Sequence, residues 1–586
     1  MIRNRPTAEP ERAAIHSNLE VSIMNHKVNS VGRYAAVAMA VLVAGAVWLA
    51  GSVNPVWACG GFFCRQVPID QAGEQIIFRR DGDTVTAVVL IQYAGEAEDF
   101  SWVLPVPGDP ELSVGSDVVF QPLELATRPQ FNLDVNGEEC FGFRDFGPVS
   151  APTLLGGAFE EDSGVEILQE LAVGPFDVQV VTSDDAEAMT TWLAENNYDV
   201  VGNGPDLIAL YVEAKMNFVA LKLRKDQGVG DIQPLMVRYK SDRPMIPIRL
   251  TAVAAVPDMG IIVWLLGESR AAPDNYLAVE PNLTRLNWYS GSFNAYASYQ
   301  NLVTAAMDEA GGRGFATDYA GRDLDVVSQL PDPALFRGEL DRLRQADSES
   351  FYLDLFFNGF FTQTKVLEIL RRELPLPPDV DESNYAEFGV LKGILGEEVV
   401  SAAQERIVTE LTETVIEPLE ETIAVFDGDP YMTRLYTTLS PEEMTVDPQF
   451  LFNPDLPDQP LERRATLDLD CVNGQTRWSL TLGPGTGRDG EVVIKGFGES
   501  PLFGPTPTID QSAVAISATV SDRGAPQIID QKTFEQAIVG TQATDEPAFL
   551  EVLLALCGNG ILGASLLSFL GLALFAVGQH RFHPKS

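Results

Sequence analysis

The twenty residues EQIIFRRDGDTVTAVVLIQY, Glu74 to Tyr93, decide the first piece of the fold. Glu74 to Arg80 and Thr84 to Tyr93 are rich in β-branched and apolar side chains, which suit a pleated, half-buried surface. Between them, Asp81-Gly82 places a residue without Cβ where a tight turn needs positive φ, so the stretch reads as a β-hairpin. Phe100 to Val106 is expected to continue the meander until Pro105, Pro107 and Pro110 punctuate it.

Downstream, Val178 to Val181 reads as a strand and Ser183 as the N-cap of a helix, with Asp184, Asp185 and Glu187 favourable in its first turn. That helix carries Met189, Trp192 and Leu193 on one side and ends near Asn196-Asn197. A second short helix opens at Pro205. Asn217 to Leu223, Leu235 to Tyr239, Ile248 to Val253 and Gly260 to Leu266 follow as strands. From about Ala272 to Asp458 the pattern turns helical: Val400, Ala403, Ile407, Leu411 and Val415 define an amphipathic helix that should end or kink before Pro418. Phe351, Leu355, Phe356, Phe360 and Phe361 form an aromatic cluster, read as core of another helix. Gly311-Gly312-Arg313-Gly314 lacks the Lys-Ser/Thr of a phosphate loop and reads as a flexible turn.

Asn453 to Pro460 reads as a linker. Beyond it Ala465 to Cys471 and Thr476 to Leu482 flank Asn473-Gly474, a second hairpin signal, and Val492 to Lys495 and Ala513 to Val520 extend that sheet. The fold class expected is α+β: an antiparallel-sheet-rich N-terminal region, a mainly helical middle, a β-rich C-terminal region and a single C-terminal transmembrane helix. The corresponding boundaries are 1–58 for a leader, 59–271 for an α+β domain, 272–460 for the helical region, 461–545 for the β-rich region, 552–579 for the membrane helix and 580–586 for a cytoplasmic tail.

The leader rests on the apolar run Tyr34 to Ala50, the bases Lys27 and Arg33 before it, and Val56-Trp57-Ala58, which suits cleavage after Ala58. Met24 as the start would give it ordinary length; an uncleaved anchor is the competing reading. Val552 to Gln579 contains no charge over a length that could cross a bilayer. Asp545, Glu546 and Glu551 precede it and Arg581 and Lys585 follow, so the positive-inside rule places the large body outside the cytoplasm and the tail within it. The expected location is therefore the cell membrane, with a single pass.

Between the two apolar segments the chain is acidic and free of histidine. All four histidines, His16, His26, His580 and His583, lie in the flanks, and the whole chain has 83 acidic against 40 basic residues, a net charge of −43. The absence of histidine removes Ser-His-Asp and Cys-His catalysis and histidine-ligated zinc from the body. The negative field disfavours nucleic acid and anionic headgroups and draws in cations. Calcium is the cofactor such a surface could hold, yet Asp447, Asn453, Asp455 and Asp458 do not match EF-hand spacing. Cys59, Cys64, Cys140 and Cys471 are disulfide candidates in an exported body, with Cys59–Cys64 as a local loop and Cys140–Cys471 as its complement among three possible pairings. Cys59 as a lipidated N-terminus is the rival reading.

Cys59-Gly60-Gly61-Phe62-Phe63-Cys64, Gln75-Ile76-Ile77-Phe78, Ile91-Gln92-Tyr93 and Phe100 to Pro107 together resemble the bacterial exported proteins grouped as domain of unknown function 2330. Trp192-Leu193, Asn197-Tyr198, Leu250-Thr251-Ala252, Gly314 to Thr317 and Thr433 to Pro441 extend the resemblance to about Asp458. It implies a bacterial cell-envelope protein and carries no activity, substrate or catalytic residue. The leading expectation is a non-enzymatic, membrane-anchored protein whose acidic ectodomain binds or scaffolds an extracytoplasmic protein or glycan. A carboxylate-dependent hydrolase of envelope glycans and a calcium-stabilised adhesion module are the alternatives.

Overall fold

The computed structural model describes residues 71–91, 100–137, 166–198, 202–225, 227, 231–288, 291–357, 359–473, 475–482, 492–497, 514–520 and 527–531. The expected leader, Cys59, Cys64, Cys140 and the apolar segment Val552 to Gln579 lie outside these residues. Along the chain the strands are β1 Gln71–Asp81, β2 Thr84–Ile91, β3 Ser101–Val106, β4 Glu111–Val114, β5 Gln130–Gly137, β6 Glu166–Val173, β7 Phe176–Thr182, β8 Asn217–Leu223, β9 Leu235–Lys240, β10 Ala255–Gly267, β11 Ala271–Pro273, β12 Leu277–Pro281, β13 Gly314–Gly321, β14 Tyr431–Leu439, β15 Phe450–Phe452, β16 Glu462–Val472, β17 Gln475–Leu482, β18 Val492–Phe497, β19 Ala515–Val520 and β20 Gln527–Gln531. The α-helices are α1 Phe120–Thr127, α2 Ala186–Glu195, α3 Gly204–Glu213, α4 Ile248–Thr251, α5 Gly291–Glu309, α6 Pro333–Gln345, α7 Ser348–Phe357, α8 Gln363–Glu373, α9 Phe388–Leu395, α10 Glu397–Leu411 and α11 Glu417–Ala424.

The quoted hairpin forms as read. β1 and β2 pair antiparallel from Glu74↔Ile91 to Asp81↔Thr84, and Gly82 takes φ +61° at the turn. β10 then adds in parallel to the other edge of β1, and β14 adds antiparallel to β10. From Ile261 to Gly267 every residue of β10 is buried and uncharged, the composition of a strand covered on both faces, and it lies inside the sheet. The result is a ten-stranded mixed sheet in the order β20-β19-β12-β13-β14-β10-β1-β2-β9-β4.

Alternation along these strands separates two cores. Ile76, Phe78, Val85, Ala87, Val89, Ile261 and Val263 point into one; Ile77, Val88, Ile262 and Trp264 point into the other. The first core is closed by a four-stranded sheet, β3-β8-β7-β6, through Trp102, Leu104, Val178, Val180, Val219 and Leu221. The outer face of that smaller sheet packs Val103, Val181 and Phe218 against Met189, Trp192 and Leu193 of α2 and Ile208, Tyr211 and Val212 of α3. The second core is covered by α1, α5 and a further sheet, β18-β17-β16-β5. A separate cluster joins α6 to α10 through Leu340, Leu343, Phe351, Leu355, Ile369, Leu370, Ala403 and Ile407. Burying each large apolar side chain in these layers contributes roughly 1.5–3 kcal/mol before conformational entropy is charged.

The expected fold class is corrected. Strands from the N-terminal, middle and C-terminal stretches interleave in one sheet, giving a mixed α/β protein with a large sheet-rich region. Local periodicity identifies strands but carries no record of which distant strand each will pair with. The expected C-terminal transmembrane helix is not supported: among the described residues no helix is long and apolar enough to cross a membrane. The expectation rests on the uncharged apolar length of Val552 to Gln579, which lies outside the described residues.

Local differences have local causes. β3 does not continue the hairpin but forms the edge of the smaller sheet, where Pro105, which has no N–H to donate, is tolerated opposite Phe218. Asp185, not Ser183, caps α2, accepting from the backbone N–H groups of Glu187 and Ala188; Ser183 instead closes a turn with Asp185. Ile248 to Val253 is not a strand, its first four residues forming α4. The helix from Val400 does not stop before Pro418: α10 passes through a π-helical turn, Thr412–Ile416, into α11, where Pro418 occupies a first-turn position that needs no N–H partner.

Candidate functional site

The helical lobe meets the smaller sheet at a cleft of about 590 Å³. One wall comes from Gly174 and Pro175 in the β6–β7 turn, from Arg224 and Gln227 after β8, and from Gln233 before β9. The opposite wall comes from Lys365, Arg372 and Glu373 of α8, Glu405, Arg406, Thr409 and Glu410 of α10, and Glu413 and Thr414 of the π turn. The hydrophobic stripes of α8 and α10 face the lobe's core through Val366, Ile369 and Leu370, and through Ala403, Ile407 and Leu411. Their polar faces are thereby left to line the cleft.

The floor is anchored by Asp231, which is 1% exposed and accepts from Lys365 Nζ at 2.9 Å and from Arg372 Nη1 and Nη2 at 2.5 and 3.1 Å. Arg372 also pairs with Glu410, and Arg406 pairs with Glu373. Gln233 Nε2 donates to the Thr414 carbonyl at 2.7 Å, tying the sheet side of the cleft to the π turn. Burial raises the Glu410 carboxyl above its ordinary value, opposed by its hydrogen bond to Arg372. Cations and carboxylates fixed in alternating pairs offer both donors and acceptors, which suits a polar ligand with many hydrogen-bonding groups.

A second place of interest lies between the sheets. Glu74 shares a face of β1 with Ile76 and Phe78 and is buried, and its Oε2 has no hydrogen-bond partner among the described residues. Burial pushes its carboxyl up to about 7. The signal for it was already present in the sequence: an acid in phase with the apolar positions of an alternating strand. The cleft residues carried no comparable signal, because they come from segments far apart in the chain.

Arg434 and Asp318, both fully buried, serve the core. Arg434 donates to the Glu124 carbonyl at 2.9 Å and to Tyr296 at 2.9 Å, and its Nε stands 3.1 Å from Asp318 Oδ2 without hydrogen-bond alignment. Tyr299 donates to Asp318 at 2.6 Å, and Arg463 donates to the Asp318 carbonyl. Arg434 belongs to the Thr433 to Pro441 motif, which is thus an internal strand rather than a ligand surface.

The residues considered for calcium are separated by their hydrogen bonds. Asp447 accepts from Tyr211 and from the Arg249 N–H, Asp458 accepts from Tyr431, and the Asn453 side chain accepts from the Asp455 N–H. Among the described residues no three His, Cys, Asp or Glu side chains are grouped to hold a metal ion. Cys471, near the end of β16, is disulfide-bonded, and the other four cysteines lie outside the described residues.

No curated protein and no solved structure matches the chain. A family match does exist, and it covers the N-terminal part of the resemblance read from the sequence while ending before the Thr433 to Pro441 motif. Residues 55–338 match the family described as "Uncharacterized protein conserved in bacteria (DUF2330)".

Proposed function

We propose that this is an exported bacterial cell-envelope protein that acts by binding, holding a polar extracytoplasmic ligand, a glycan segment or a polar stretch of protein, in the cleft between the smaller sheet and the helical lobe. The cleft carries the reading. Its volume suits a small ligand or chain segment, and Arg224, Arg406, Thr409 and Glu413 offer donors and acceptors on opposite walls. Export is supported by the leader-like N-terminal segment and by the disulfide at Cys471, a bond that persists in oxidising compartments. We assign Cys140 as its partner: β5 and β16 pair in parallel as far as Gly137↔Leu469, three residues before Cys140 and two before Cys471.

A photo-crosslinking residue at Thr409, introduced into the full chain in the native envelope, is expected to capture one class of ligand. Thr409→Trp, which fills the cleft, is expected to abolish capture by a second crosslinker at Gln227. Undiminished capture in the filled variant overturns the reading.

A further inference from the structure

The gap between the ten-stranded sheet and the smaller sheet contains a small chamber built around one acid. Period-two alternation carries Glu74 inward with Ile76 and Phe78, and the chamber is walled by Val89 of β2, Val106 and Pro107 at the end of β3, and Tyr239 of β9. Pro107, Met245 and Pro247 are partly exposed and form its mouth. Its free volume is about 30 Å³, enough to admit a group the size of a water molecule. Apart from Glu74, the titratable group on these walls is Tyr239, which burial holds above its ordinary value.

An ionised carboxylate only accepts hydrogen bonds, and leaving one unpaired in an apolar setting costs the folded state several kcal/mol. Proline, valine and methionine side chains supply no donor, and the Tyr239 hydroxyl on the chamber wall makes no hydrogen bond to Glu74 Oε2. The missing partner must therefore come from outside, must carry N–H or O–H groups, and is favoured if positive, because the chain's net charge of −43 concentrates cations around it. The free volume admits a single –NH₃⁺ head beside the carboxylate, while the apolar mouth covers a methylene stem. We propose that this chamber is a binding site for a primary alkylammonium group, its head on Glu74, its stem between Pro107, Met245 and Pro247, and the Tyr239 ring adjacent. The proposal is independent of the charged cleft.

The test uses the purified full chain, with melting temperature followed against n-butylammonium chloride and referenced to sodium chloride at equal ionic strength. Butylammonium is expected to raise the melting temperature at pH 8, and its dissociation constant to rise as protons compete for Glu74, approaching tenfold per pH unit below about pH 7. Tetramethylammonium, which has no N–H and is too bulky, is expected to give no shift. Glu74→Gln, checked for folding by circular dichroism, is expected to lose the response at pH 8, and Glu74→Asp to weaken it. N-acetyl-lysine amide binding as tightly as butylammonium identifies a protein lysine as the natural source; tenfold weaker binding identifies a free small amine. An equal shift in the wild type and Glu74→Gln, or none beyond salt in the wild type at pH 8, overturns the proposal.

Discussion

At the scale of single residues, two buried charges behave in opposite ways. Arg434 spreads its guanidinium over Glu124, Tyr296 and Asp318, a fork no other side chain reproduces. Removing it strands Asp318 without its closest cation, so Arg434→Met is expected to lose about 3–5 kcal/mol of unfolding free energy, and Arg434→Lys to recover less than half of that loss. Urea denaturation of the three proteins measures both. Glu74 has no such partner. Its carboxyl titrates at about 7 in the folded chain against 4.5 as the ordinary value. Between those pH values the folded state keeps a proton that the unfolded state has released, so stability falls as pH rises through the window and levels off above about 7. Relative to wild type, Glu74→Gln is therefore expected to be about 3 kcal/mol more stable at pH 8 than it is at pH 4, and a pH-independent difference would show that the buried acid is not the cause.

At the scale of elements, the tight turns were legible because their chemistry is local. Gly82-Asp83, one residue on from the Asp81-Gly82 read in the sequence, and Asn473 sit at two-residue turns, with Gly82 at φ +61° and Asn473 at φ +55°, and their neighbours pair as the alternation implies. Helix α5 ends at Glu309, and Gly311 and Gly312, both at positive φ, make the turn that the glycine cluster implies. What local pattern could not supply was the π turn, whose extra residue per turn breaks the 3.6-residue period only over Thr412–Ile416. That turn sets Glu413 and Thr414 into the cleft, and Gln233 holds it there. Gly174 supports the same contact from the sheet side. It adopts φ +56°, and a Cβ there would lie 2.6 Å from Val114 Cγ1 and 3.0 Å from Gln233 Oε1. Gly174→Ala is expected to cost roughly 1–3 kcal/mol through left-handed strain and crowding, and to weaken ligand capture in the cleft. Denaturation midpoints and crosslinking yield in the same variant check the two effects.

At the scale of the whole molecule, the ten-stranded sheet draws together strands from Gln71–Asp81 to Gln527–Gln531, so folding must close very long loops before its order is complete. The sheet containing β5 and β16 is the clearest case, since Gln130 pairs with Glu462 across more than half of the chain. A covalent tie at this seam would act chiefly on the unfolded state, and the long loop between Cys140 and Cys471 makes that effect large in the loop-entropy picture. Peptide mapping without reduction is expected to recover the segments containing Cys140 and Cys471 as one linked species; finding Cys471 joined to Cys59 or Cys64 would refute the assignment. With the pairing established, Cys471→Ser is expected to lower unfolding stability by about 3–5 kcal/mol, and reductant should bring the wild type to the same level while leaving the variant unchanged. A wild type insensitive to reductant would mean that the β5–β16 seam is held by its strand pairing and buried Leu467 and Leu469 alone.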